Sequence, residues 1–351
     1  MHKTAAFAAV DARTPLAPFS IERREPGPNE VLIDILYCGV CHSDIHQARD
    51  EWGGSAFPMV PGHEIVGRVA RLGANVKSFQ LGDAVGVGCF VDSCRECPQC
   101  RAGEEQYCDQ GMTGTYNSRE RGTGAPTYGG YSTRITVDQD YVLHIPESIP
   151  LDRAAPLLCA GITTYSPLKH YGVKAGDEVA VVGLGGLGHM AVKIAVAMGA
   201  RVTVLSTSES KREAALALGA QAFAATRDKA TFKTLSRSFD FIIDSVSGDH
   251  DYNAYLGLLK FDGTMVLLGI PETPSTVAAG ALIMQRRKLG GSLIGGIRET
   301  QEMLDFCAEH GVASDIELID IAQINEAYER MIKGDVRYRF VIDIASLGQA
   351  A

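Results

Sequence analysis

The chain has 351 residues, 46% hydrophobic and 21% charged, with a formal net charge of −9. That length exceeds what one hydrophobic core usually organises and predicts two domains. The acidic balance excludes a phosphate-backbone binder, and 7% aromatic residues with a single tryptophan, Trp52, leave no stacking platform for single strands. No apolar run approaches the about 18 residues of a membrane span. The stretch Met1–Val10 is interrupted by Asp11 and Arg13, too early for a signal peptide. Of nine cysteines, six lie between Cys38 and Cys100; clustering without a secretory signal predicts metal binding in a cytoplasmic protein rather than disulfides.

In chain order, residues 1–37 read as strands and turns. The turn cluster Pro26–Glu30 leads into Val31–Leu36, rich in branched residues. Short runs at Ile65–Ala70 and Ala84–Val87, separated by Gly73 and Gly82, predict a small barrel-like β domain. Residues 89–130 lack periodicity and predict a long loop held by its cysteines. From about residue 155 strands alternate with helices: Glu178–Val182, the helix His189–Met198, Arg201–Leu205, the helix Lys211–Leu218, Phe239–Asp244 and Gly263–Gly269. Repeated βα units predict a doubly wound parallel sheet. Helices at Gln301–His310 and Ile324–Lys333 and a strand at Arg339–Ile344 close the chain.

Gly183-Leu184-Gly185-Gly186-Leu187-Gly188 follows a strand and opens a helix, the context in which such a turn cradles a dinucleotide pyrophosphate. An NAD site usually carries an acidic residue about 20 positions on. Here the second strand ends in Ser206-Thr207-Ser208 followed by Lys211 and Arg212. Small hydroxyls and cations suit a 2′-phosphate and predict NADP(H); two cations that merely solvate a helix surface are the ordinary alternative.

Two constellations suggest metal. Cys41 and His63 offer a thiolate and an imidazole, ligand types that zinc prefers, with Ser43 and His46 within one turn of Cys41. Separately, Cys94, Cys97, Cys100 and Cys108 place four thiols in fifteen residues. That spacing predicts a closed, structural tetrahedral zinc, with an iron–sulfur cluster as the rival.

Gly39-Val40-Cys41-His42-Ser43-Asp44-Ile45-His46, Pro61-Gly62-His63-Glu64, the four-cysteine lobe, Leu158-Cys159-Ala160-Gly161, the glycine turn and Asp335–Val341 together resemble the zinc-dependent medium-chain alcohol dehydrogenases over essentially the full length. The resemblance is strongest to the cinnamyl-alcohol-dehydrogenase-like branch with its bacterial aldehyde reductases. It implies an α/β fold, with a GroES-like β-rich catalytic domain at 1–159 and 298–351 and a Rossmann NADP-binding domain at 160–297. It also implies two zinc ions per chain, the catalytic one on Cys41, His63 and Cys159. On residue type alone Cys159 reads equally as a buried free thiol. Glu64 matches an acidic residue that coordinates transiently, and Asp44 a carboxylate that orients the histidine ligand. Ser43 is expected to contact the substrate oxygen and His46 to end a proton relay that passes through the cofactor ribose, while His42 faces the cofactor phosphates. Thr163 and Ser292 match further cofactor-binding positions. Cys38, Cys89 and Cys307 match no ligand position.

The implied reaction is hydride exchange between NADP(H) and small aldehydes or primary alcohols in the cleft between the domains. The substrate pocket is expected near Trp52, Met112–Tyr116 and the strand end at Ser292. Gly114-Thr115 stands where the plant enzymes carry a bulky aromatic, which predicts a roomier pocket taking aromatic and medium-chain aliphatic substrates. A polyol or sugar dehydrogenase is the near rival, and a zinc-stabilised non-catalytic binding protein the distant one. The expected assembly is a homodimer.

Overall fold

The computed structural model describes residues 2–348. Their contacts divide into two units, one built from the chain up to Cys159 and again from Gly295 onward, the other from Ala160–Ile294.

The first unit is organised by the strand Glu30–Gly39, whose Val31, Leu32, Ile33, Ile35 and Cys38 are all buried. Ile65–Leu72 lies antiparallel along one side. The other side is shared by Arg134–Asp138 and the C-terminal strand Arg339–Asp343. The sheet runs Ile316–Asp320, Arg339–Asp343, Glu30–Gly39, Ile65–Leu72, Ala84–Val87, Leu143–His144, with Arg134–Asp138 alongside Glu30–Gly39. A separate two-stranded ribbon joins His2–Ala8 to Ala17–Arg23. Where the long strand ends, the Gly39 N–H donates to the Glu64 carbonyl and the Val40 N–H to the Phe340 carbonyl, both at 2.9 Å. The chain's end is thereby stitched to the segment that precedes Cys41.

The stretch expected to be a featureless loop is more ordered than its composition suggests. Phe90–Asp92 pairs with Thr113–Gly114, and a short helix Pro98–Ala102 begins at Cys97. The helix expected from Gln301 begins at Ile297 instead. Its Gly296 N-cap has no side chain to offer, and the Ile297 N–H donates to the Glu105 carboxylate at 3.1 Å. A cap supplied from so far along the chain leaves no local sequence signal.

In the second unit six parallel strands run in the order Ala222–Ala225, Arg201–Ser206, Glu178–Val182, Phe239–Asp244, Leu259–Leu267, Lys288–Gly291. This is the doubly wound dinucleotide order, in which ligands bind beyond the strands' carboxyl ends. Leu205, Ile242, Leu256, Leu258, Leu259 and Met265 are fully buried in its core. The Gly186–Ala197 helix, with Met190, Ala191, Val192 and Ile194 buried, packs on Ala160–His170.

Candidate metal centre and dinucleotide turn

Cys41 is the N-cap of the helix His42–Ala48, in extended backbone just past the end of the long strand. The first turn of that helix supplies Asp44, which is fully buried. Its Oδ2 accepts the Cys41 N–H at 2.9 Å and the Tyr131 O–H at 3.3 Å. Its Oδ1 accepts the Gly62 N–H at 3.1 Å and faces His63 Nδ1 at 3.2 Å. The carboxylate thus fixes the imidazole with Nδ1 occupied and leaves Nε2 as the free ligand atom.

Ligand atoms of Cys41, His63, Glu64 and Cys159 all lie within 4.8 Å of one another, with Cys41 Sγ and Cys159 Sγ 3.9 Å apart. A hydrogen bond from the Cys159 thiol holds Cys41 well below the ordinary thiol range against the opposing effect of burial, helped by the nearby charges of His63 and Arg339. Burial alone would push the His63 imidazole down, but the Asp44 carboxylate outweighs it and holds the ring proton-binding. Glu64 is fully buried and is pushed up to about 7 by that burial, against the Arg339 guanidinium with which it pairs. A Cβ on Gly39 would fall 1.9 Å from Glu64 Oε2, so only glycine at this position leaves room for the carboxylate.

This donor set fits zinc. Two thiols, an imidazole and a carboxylate converge in a largely buried site, and Glu64 Oε2 has no hydrogen-bond partner. An orphaned buried acceptor costs about 1–3 kcal/mol, which a neighbouring cation relieves. The second cluster, Cys94, Cys97, Cys100 and Cys108, also has its four sulfurs within 4.8 Å. Backbone N–H groups point at them, from Cys94 to Cys108 Sγ, Cys97 to Cys94 Sγ and Cys100 to Cys97 Sγ, at 3.3–3.5 Å. The N–H groups of Cys100 and Asp109 hold the Cys97 thiol down to about 6. Those amides reach three of the four sulfurs, and four sulfurs so placed complete a tetrahedral shell with no place for an outside ligand, the arrangement of a structural metal.

Ser43 Oγ lies 3.7 Å from Cys41 Sγ. His46 stacks on Trp52 with ring centroids 4.8 Å apart, and its Nδ1 lies 2.5 Å from Glu51 Oε2. His42 is exposed on the same helix. Of the expected pocket residues, Tyr116 stacks on His63 at 5.8 Å, whereas Thr113 and Thr115 line a different cavity of about 360 Å³ with Arg23, Glu30 and Arg95.

In the second unit the glycines have distinct reasons. Gly183 adopts φ +86°, and a Cβ on Gly188 would fall 2.1 Å from the Gly183 carbonyl oxygen. At Gly185 a Cβ would meet no atom within 4 Å, so the protein's own packing does not demand glycine there. Open space over bare backbone at a helix N-terminus fits a pyrophosphate. Ser206 is buried at the end of its strand, its Oγ accepting the Ser208 N–H at 3.3 Å, while Thr207 is exposed. The two cations read alike in the sequence part company here. Lys211 Nζ donates to the Leu184 carbonyl at 2.9 Å, within the glycine turn, and burial pulls its ammonium down. Arg212 is turned away onto Glu209, the Phe223 carbonyl and the Phe223 ring, which removes it from the expected phosphate contacts. Thr163 is buried in the helix Ala160–His170, and Ser292 follows the edge strand, its N–H donating to the Leu267 carbonyl.

Comparison with known proteins identifies the family. The alcohol dehydrogenase GroES-like domain matches residues 27–147 and the zinc-binding dehydrogenase domain residues 186–309. The NADP-dependent alcohol dehydrogenase C 1 of Mycolicibacterium smegmatis is 60% identical over 348 residues, 99% of each chain. The chain belongs to the zinc-binding alcohol dehydrogenase family. Its fold is accordingly a GroES-like domain joined to a Rossmann-type domain. Among solved members, a cinnamyl alcohol dehydrogenase of Sorghum bicolor superimposes with a TM-score of 0.95 at 48% identity. CAD from Helicobacter pylori, complexed with NADP(H), does so at 0.92 and 44%. Each comparison covers 98% of both chains.

Within this family frame, sequence reasoning missed four residues around the site. Arg339 was visible only as part of a C-terminal motif, yet it is 3% exposed and ion-paired with Glu64. Tyr131 and Tyr328 form a buried pair, O–H to O–H at 3.4 Å, that ends on Asp44. Cys89, which matches no ligand position in the sequence, points at the Leu158 carbonyl at 3.7 Å, beside Cys159. None carries a local signal, since each acts through a partner remote in sequence.

Proposed function

We propose that the protein is a zinc- and NADP(H)-dependent oxidoreductase that interconverts primary alcohols and aldehydes, aromatic and medium-chain aliphatic alike. The observation that carries this reading is the convergence of Cys41, His63, Cys159 and Glu64 beside an orphaned buried oxygen, in a chain whose four other clustered cysteines form a separate closed set. The NADP-dependent and NADP(H)-complexed relatives support the nucleotide.

Cys41, His63 and Cys159 would hold the catalytic metal, with Glu64 available as an exchanging ligand, and Cys94, Cys97, Cys100 and Cys108 the structural one. Zinc in the first site supplies a Lewis acid for a carbonyl or alcohol oxygen, and NADP(H) supplies or accepts hydride. The chain's residues do the rest. Asp44 keeps His63 in the ligating tautomer. Ser43 presents a hydroxyl proton beside Cys41, and His46, with Glu51 against Nδ1, holds a proton nearby. Backbone N–H groups at the start of Gly186–Ala197 would take the pyrophosphate, with Lys211 beside Ser206, Thr207 and Ser208 for the 2′-phosphate.

The working form is read as a homodimer paired through the second unit. Among the described residues its edge strand Lys288–Gly291 pairs on one side only, and Ile270, Ile283 and Met284 are each more than 70% exposed. Nine free thiols, six of them in the two metal-ligand clusters, suit a reducing cytoplasm, and no helix among the described residues is long and apolar enough to cross a membrane. The test is NADPH consumption by the zinc-loaded chain with benzaldehydes, aliphatic aldehydes and sugars. Turnover confined to sugars would favour a polyol dehydrogenase; none with any carbonyl would leave a binding protein.

A further inference from the structure

The carboxyl end of the strand Phe239–Asp244 carries a charged pair that the chemistry above does not use. Asp244 is 1% exposed; its Oδ1 accepts the Val246 N–H at 3.1 Å and its Oδ2 lies 2.7 Å from His250 Nε2. The opposite ring nitrogen, His250 Nδ1, lies 2.7 Å from the Gly248 carbonyl oxygen. Both nitrogens therefore face acceptors that have no proton to give, and only the imidazolium, a donor at both, satisfies the two contacts. A neutral ring turns a lone pair on one of them. Burial pulls the proton affinity of His250 down, but the hydrogen bonds to Asp244 and Gly248 and the charges of Asp244 and Asp249 outweigh it and raise it.

The segment closed by this ring lies on the dinucleotide turn. The Ser245 hydroxyl and N–H both donate to the Val182 carbonyl, at 2.8 and 3.1 Å. A Cβ on Gly183 would fall 2.7 Å from Val246 Cγ2, and one on Gly269 2.3 Å from the Val246 carbonyl oxygen. Val246 is thus wedged between the glycine turn and the end of the neighbouring strand.

We propose that the His250 imidazolium is a positioning residue, holding the Ser245–Gly248 backbone against the Gly183–Gly188 turn and making NADP(H) binding proton-linked. This inference rests on the nucleotide reading above. The groups facing His250 are the Asp244 and Asp249 carboxylates and the ring edges of Tyr252 and Tyr255, at 4.9 and 5.4 Å. Because folding raises the proton affinity of His250, the clamp is complete below the ordinary histidine range and is lost as pH rises through its folded midpoint. Cofactor affinity falls in the same direction.

The test compares the zinc-loaded wild-type chain with His250→Gln, which keeps a donor but cannot carry charge. NADPH dissociation constants are measured by calorimetry between about pH 6 and about pH 9, and the wild-type imidazole is titrated by NMR. We expect the variant to bind about tenfold more weakly at the acid end, roughly the worth of one charge-assisted hydrogen bond, and equally at the alkaline end. We also expect the His250 midpoint to lie above that of an ordinary histidine and to rise further with NADPH. Asp244→Asn should reproduce the acid-end loss. A ratio constant across the range would mean a merely structural residue and overturns the proposal. If the wild-type chain binds no NADPH at any pH, the nucleotide reading fails; the imidazole titration still decides on the clamp, and a midpoint at or below the ordinary value overturns it.

Discussion

Replacing Asp44 by asparagine changes one oxygen to an NH2 group without changing shape, and the surroundings make that costly whichever way the amide turns. With NH2 at the Oδ2 position, it meets the Cys41 N–H and the Tyr131 hydroxyl. Tyr131 can turn its proton to Tyr328, 3.4 Å away, but the Cys41 N–H has no such escape. With NH2 at the Oδ1 position, it meets the Gly62 N–H and His63 Nδ1, and the ring accommodates a donor there only by moving its own proton to Nε2, the ligand atom. Hydrogen bonds to a charged acceptor contribute about 1.5–3 kcal/mol each, so one lost outright and a second weakened predict roughly 2–5 kcal/mol. Relaxation pulls that toward the lower end, still a large share of the about 5–15 kcal/mol that holds a typical domain folded. Loss of the histidine's partner also predicts metal affinity about 10–100-fold weaker at this site. Urea unfolding of the zinc-loaded protein and competition with a chromogenic chelator read the two effects separately. A variant with the wild-type unfolding midpoint and both zinc ions as resistant to chelator as before would refute the reasoning.

Cys159→Ala should lose one zinc per chain and keep the other, by elemental analysis; retention of both would exclude the thiol as a ligand. Ser43→Ala should leave zinc content and NADPH affinity intact while turnover falls about 100-fold or more, as expected when a group that moves a proton is removed; unchanged kcat removes Ser43 from the chemistry. Lys211→Ala should raise KM for NADPH about tenfold while barely moving that for NADH, the signature of a lost 2′-phosphate contact. Equal effects on both nucleotides would show that the lysine serves only the Leu184 carbonyl it touches in the structure.

How much could be read from the sequence followed the distance over which each interaction acts. The four-cysteine lobe is contiguous, so its spacing alone points to a metal, and the glycine turn announces itself between a strand and a helix. Cys41 and His63 are readable as ligand types, but Cys159 came only with the family resemblance, because nothing beside it in the chain marks a thiol as a ligand. Arg339 was harder still, since its partner Glu64 stands 275 residues away and an arginine in a strand has many uses. Lys211 and Arg212 show the limit from the other side. Adjacent and alike in type, they were given one role, and only the helix geometry sends the first to the glycine turn and the second to Phe223. The early start of the Ile297–His310 helix fails the local rules for the same reason, its capping carboxylate belonging to Glu105.

Every ligand atom of the two thiol clusters belongs to the unit that ends at Cys159 and resumes at Gly295, and the whole glycine turn with Ser206–Lys211 belongs to the other. The two specifications share no residue. With the roles proposed above, a lineage of such proteins is free to rewrite its nucleotide preference, one hydroxyl or one cation at a time, without passing through an intermediate that has lost its metal. An engineer has the same freedom, and can vary 206–211 as a library while holding all eight metal-site positions fixed.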